Sequence, residues 1–165
     1  MDLDLSGRRR DDPVPEYARR LRPLRHICAA LTGTVALCAL LSWWLVRQAG
    51  GAVPGAPRAL PLSLSFLAAV LILLSSRLRW SILRRAFPRS PALPTDPEAM
   101  LAAYRRATLI SFAILETAAL VGLLVALTSG SATYGTVLCL VSSFGMLTRW
   151  PRATEVDLLV RGRLR

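Results

Sequence analysis

Residues 107–128 form an apolar run of 22 residues whose only ionisable side chain is Glu116. At about 1.5 Å of rise per residue, a helix of that length covers roughly the 30 Å hydrocarbon core of a bilayer. Its start is marked upstream, where Thr95-Asp96-Pro97-Glu98 combines capping-box spacing with a proline placed for a first turn. The helix is therefore expected to begin in water and to run through Tyr104 along the membrane surface or out of it. It then passes Arg105 and Arg106 at the headgroups and crosses the membrane.

Three further apolar runs share this character. Residues 27–46 contain the small residues Ala29, Gly33, Ala36 and Ala39, and their far end holds Trp43 and Trp44, a pair suited to an interfacial aromatic belt. A cleavable signal has a shorter apolar core, so this segment reads as a retained anchor. Residues 60–76 follow a turn containing Pro54 and Pro57 and stop at Arg77-Leu78-Arg79-Trp80. Residues 133–148 follow the Gly130-Ser131 turn and stop at Arg149-Trp150-Pro151-Arg152. The fold expected is all-α: a polytopic membrane protein whose four transmembrane helices, within residues 27–152, form two hairpins. Each hairpin ends in an Arg-Trp pair, the trace of a weak internal repeat. Residues 77–106 form a long loop interrupted by Pro88, Pro91 and Pro94. Residues 1–26 are a basic tail, its first dozen residues disordered and a short surface helix possible over 17–25. Residues 153–165 are a second basic tail, too short for a domain, with one or two amphipathic turns.

Arginine placement gives the orientation. Of 21 basic residues, all arginine, only Arg47 and Arg58 fall on the side of the two short turns. The positive-inside rule then puts both termini and the loop 77–106 in the cytoplasm of a protein of the plasma (inner) membrane. Arg79, Trp80, Arg105, Arg106, Arg149 and Trp150, with Trp43 and Trp44, are the expected membrane-interface residues, and anionic headgroups are the expected partners of the arginines.

A net charge of +11 raises the question of nucleic acid, but no recognition motif, basic helix with interleaved aromatics or zinc spacing accompanies it, so none is expected. Arg8-Arg9-Arg10 is followed by Asp-Asp-Pro instead of an apolar core, which excludes a twin-arginine signal. Cys28, Cys38 and Cys139 lie inside the spans without a CxxC or a neighbouring histidine, and His26 stands alone at a span mouth. No metal site or cofactor is expected. No nucleophile–base set and no phosphate-cradling loop is present, so the chain does not read as an enzyme.

Glu116 is left to be explained. An ionised carboxylate at mid-bilayer is costly, so the carboxyl is expected to keep its proton unless water or a cation reaches it. Either it hydrogen-bonds across the bundle and specifies packing, or it binds and releases a proton or sodium ion. Thr34, Ser142 and Ser143 lie at comparable depth and would build the polar cluster that both alternatives need. On the opposite side of the same helix, Ala118, Gly122 and Ala126 repeat at four-residue spacing and would allow close approach of another helix, as Gly33 would in the first span.

Residues 112–123, Phe-Ala-Ile-Leu-Glu-Thr-Ala-Ala-Leu-Val-Gly-Leu, resemble the carboxylate-bearing helix of rotary ATPase proteolipid (c) subunits. More broadly, the chain resembles small four-span bacterial membrane proteins. The proteolipid resemblance implies an ion-carrying role for Glu116, and span 3 leaves a cytoplasmic loop as that helix does. It covers about 20 residues, and the second span lacks the glycine-rich pattern of the proteolipid's first helix. The reading that emerges is a structural or accessory subunit packing against a larger membrane partner, or against another copy, with ion translocation through Glu116 as the alternative.

Overall fold

The computed structural model describes residues 15–50, 57, 59–86 and 97–160. The first dozen residues, most of the 50–58 turn, the proline-rich centre of the long loop, Thr95-Asp96, and Arg161, Arg163 and Arg165 lie outside the described residues. Six helices and no strand are found among those described: α1 Pro15–Arg20, α2 Arg22–Ala49, α3 Ala59–Ala86, α4 Pro97–Ser129, α5 Ala132–Thr148 and α6 Ala153–Val160. Within them, Arg22–Gln48, Ala59–Ala86 and Glu98–Ser129 are each long and apolar enough to cross a membrane, as the helices of a membrane protein are. α5 is equally apolar but has 17 residues.

Local chemistry sets the ends. Pro23 sits in the first turn of α2, where a missing N–H costs nothing, and Gly50 closes that helix in the left-handed region at φ 64°. Gly130 does the same for α4 at φ 66°, and the chain re-enters a helix two residues later.

The long loop was expected to occupy 77–106, yet α3 continues to Ala86 and α4 begins at Pro97, so both flanks of that segment are helical. The first proline after Arg77 is Pro88, and until then Ser75, Leu78 and Ile82 recur at three- and four-residue spacing. Half-buried Ile82 and buried Leu83 pack into the core, so the helix has no reason to stop at the last residue of the apolar run.

α4 is the hub. Half of its apolar window is buried, against 17% for α2 and 11% for α3. It packs along α3 and α5 and also touches α2; α2 and α5 pack on one another, and α3 meets α5 only sparsely. α2 and α3, the expected first hairpin, do not touch among the described residues, because α4 stands between them.

Where α4 and α5 cross, the backbones nearly meet. A Cβ on Gly135 would lie 2.7 Å from the Ala126 Cβ and 2.7 Å from the Gly122 carbonyl oxygen, and one on Gly122 would lie 2.9 Å from the Leu138 Cβ. Only glycine fits, and the close approach brings the two backbones into dispersion contact at the crossing.

The main core runs from this crossing to the end of the bundle that holds α1 and α6. Phe112, Leu115, Met146, Tyr104, Leu21 and Val156 are all fully buried there. α1 and α6 belong to that core. Tyr17 and Ala18 pack against it, and Ala153 and Val156 are part of it, so the segment read as a basic tail includes a helix docked on the bundle.

Candidate functional site

Two polar places interrupt the apolar packing. The first surrounds Glu116, half-buried on α4, whose carboxyl makes no hydrogen bond or ion pair among the described residues. It lies within electrostatic range of Cys38 on α2. Thr34, one turn before Cys38 on the same side of α2, is exposed, and its hydroxyl donates to the Ala30 carbonyl at 3.0 Å. Ser142 is fully buried on α5, with its hydroxyl unpartnered, and Ser143 beside it is half-buried. Glu116 thus lies on the α2 side of α4 near Cys38, Thr34 bonds within its own helix, and Ser142 is enclosed within the bundle. Depth follows from the rise per residue, but azimuth depends on how the helices pack, and so similar depth did not bring the hydroxyls to the carboxyl.

The small residues divide as well. Ala118 packs with Ala68 and Val121 against α3, and Gly122 and Ala126 form the α4–α5 crossing, so this stripe is used inside the chain. Gly33 is exposed, and a Cβ there would meet nothing within 4 Å, so it packs against no helix of this chain. Gly135 and Gly145 complete the small-residue contacts. The signal for Gly135 was legible, because Ala132, Gly135, Cys139 and Ser142 repeat at three- and four-residue spacing on the buried face of α5.

The second polar place is at the end of the bundle where α1 and α6 dock. Arg149, just past α5, donates through Nη1 to Ser75 Oγ at 2.6 Å and to Ser111 Oγ at 2.8 Å, and through Nη2 to Ser76 Oγ. One guanidinium therefore ties the end of α5 to both α3 and α4. Burial, and then the nearby Arg79, pull its pKa below the usual guanidinium value. Arg79 donates to Glu155 Oε1 at 2.8 Å, Tyr104 donates its hydroxyl proton to Glu155 Oε2 at 2.7 Å, and the Arg79 guanidinium lies 5.9 Å from the Tyr104 ring centre. Arg105 donates to the Arg20 carbonyl oxygen, and Arg25 Nε donates to that of Pro151 at 3.1 Å.

Three of the arginines expected at headgroups, Arg79, Arg105 and Arg149, thus turn inward to hold the chain's own elements, whereas Arg106 is exposed. Trp43, Trp44 and Trp80 are more than half exposed, but Trp150 packs against the core. Ser75, Ser76, Ser111, Tyr104 and Glu155 went unnoticed in the sequence, since hydroxyls in apolar runs and an acid in a short tail carry no local pattern.

Among the described residues no group of three or more His, Cys, Asp or Glu could hold a metal ion. The arrangement can clamp helices, and at Glu116 it can offer one carboxyl to whatever lies against α4. The chain matches no protein-family model, no curated protein and no solved structure.

Proposed function

We propose that the chain is a four-span protein of the inner membrane with both termini in the cytoplasm, acting as a structural or accessory subunit that packs against a membrane partner. The observation that carries this reading is Glu116: a carboxyl in an apolar helix, half-buried and without a hydrogen bond among the described residues, has its bonding capacity left for a neighbour. α5 at 17 residues reaches roughly 25 Å, enough to span with modest thinning. The arginine asymmetry supports the orientation.

The half-buried position of Glu116, near Cys38 and without a hydrogen bond among the described residues, favours a second reading, proton or ion translocation. Glutamine at 116 separates the two, because it keeps size, a donor and an acceptor but cannot release a proton. Under the packing reading, Glu116→Gln leaves folding and any complex isolated in mild detergent intact. Under the second, the variant folds but loses the ion flux that the wild type shows in proteoliposomes, and a carbodiimide labels wild-type Glu116 in a pH-dependent way. Flux in the wild type that disappears in Glu116→Gln would overturn the packing reading.

A further inference from the structure

Around Arg149 the chain holds more hydrogen-bond donors than acceptors. Arg149 directs both Nη1 hydrogens to Ser75 and Ser111 and one Nη2 hydrogen to Ser76, while Nε and the second Nη2 hydrogen meet no acceptor among the described residues. The serines add to the excess. Ser75 passes its own proton to the Ile72 carbonyl at 2.6 Å, but the hydroxyl protons of Ser76 and Ser111 have no acceptor among the described residues. One turn before Ser111, Thr108 is fully buried with its hydroxyl unpartnered, and Nε of Arg79 is buried and unpartnered as well. Charge is unbalanced in the same sense. Arg79 and Tyr104 both bond Glu155, and Arg149 makes no ion pair among the described residues, so two guanidinium groups share one carboxylate.

A ligand that completes such a place accepts hydrogen bonds and carries negative charge. Nε and Nη2 are neighbours on the planar group and can take two oxygens of one phosphate side on. The place is open on one side, because α3 and α5 touch only sparsely and Arg149, half-buried like Ser76, reaches across the gap between them. Leu73, Ser76 and Trp80 follow at three- and four-residue steps along α3, so an exposed leucine lies on the apolar side of Ser76 and an exposed tryptophan on the other. Leucine, hydroxyl and interfacial aromatic, in that order, match the passage from acyl chain to headgroup. We propose that a phosphate group binds Arg149 and Ser76 in the gap between α3 and α5, and that the lipid-facing stripe beside them makes it the headgroup phosphate of an anionic phospholipid. The exposed Arg77 and Arg152, adjacent to Ser76 and three residues beyond Arg149, disfavour a headgroup that brings its own ammonium. Bound there, the lipid strengthens the link between two helices that otherwise barely touch. The inference needs α3 and α5 to end at a membrane surface, and so rests on the membrane-spanning part of the reading above.

Native mass spectrometry of the full chain in mild detergent tests it, with dioleoylphosphatidylglycerol, dioleoylphosphatidylcholine and inorganic phosphate as probes. The wild type should retain one phosphatidylglycerol about tenfold more tightly than phosphatidylcholine. Arg149→Lys keeps the charge without the two-oxygen geometry, and Arg149→Gln loses both. Each should weaken phosphatidylglycerol about tenfold, whereas Arg106→Gln, at an exposed arginine of the same end, should stay within about twofold of wild type. Because Arg149 also ties helices together, helical content is checked alongside, and a second measurement uses the wild type alone. In proteoliposomes, a phosphatidylglycerol with a photoreactive diazirine near its glycerol should label peptides 73–80 and 147–152 more strongly than the peptide around Ile27, which is exposed near the same end of α2. Equal retention of the two lipids, a loss in Arg106→Gln as large as in Arg149→Lys, or labelling no stronger than around Ile27 would overturn the proposal. Inorganic phosphate that displaces the lipid and raises the melting temperature by itself would keep the phosphate site and overturn the lipid as its occupant. Reporter fusions that place the C-terminus outside would overturn the orientation read above and leave this site standing, since phosphate headgroups lie at both surfaces.

Discussion

At the scale of the residue, the sharpest constraint is the α4–α5 crossing, where a side chain larger than hydrogen cannot be placed on Gly122 or Gly135 without moving a helix. Gly122→Leu should therefore lower stability by about 1–3 kcal/mol, the usual cost of forcing volume into a packed contact. It is read as a reduced melting temperature in detergent with unchanged helical content. Gly33→Ala is the matched control: it faces open space and should melt with the wild type. Equal melting of Gly122→Leu and wild type would mean that the two helices do not meet there. Arg149 is constrained differently. Its charge is held by three serine hydroxyls, and loss of either side strands polar groups in a poorly hydrated place.

At the scale of the element, α6 is the least expected part of the fold. It is 8 residues long and would not be helical alone, so its stability comes from burying Ala153 and Val156 and from the Glu155 contacts. Arg79 is largely buried, with a side-chain exposure of 11%, and removing its carboxylate leaves an uncompensated cation. Glu155→Ala should release α6 from the bundle, and limited trypsin digestion of the solubilised protein should then cut after Arg152 markedly faster than in wild type. Tyr104→Phe removes only one of the two bonds to Glu155 and should give an intermediate rate. Cleavage of Glu155→Ala at the wild-type rate would show that the apolar contacts alone hold the helix.

At the scale of the whole molecule, α2 and α4 start from the end where α1 and α6 dock, and α3 and α5 return to it. That up-and-down course fits four crossings with the arginine-rich side inward. Reporter fusions should place residues 1, 90 and 165 in the cytoplasm and residue 55 outside. An external C-terminus would leave α5 as a helix that enters the membrane without crossing it.

The apolar lengths, the glycine turns and the central place of α4 were legible from the chain alone, because span length, helix-stopping residues and an isolated charge are properties of local sequence. Which helices touch was decided only by tertiary packing. The short turn between α2 and α3 suggested a hairpin, but both pack against α4 instead, and it separates them. The same packing set the azimuth of every polar side chain. It turned Arg79 and Arg149 inward to an acid and three serines, enclosed Ser142, and left Glu116 half-buried on the α2 side of α4, since depth in a helix is counted along the chain while direction depends on which neighbours the helix acquires.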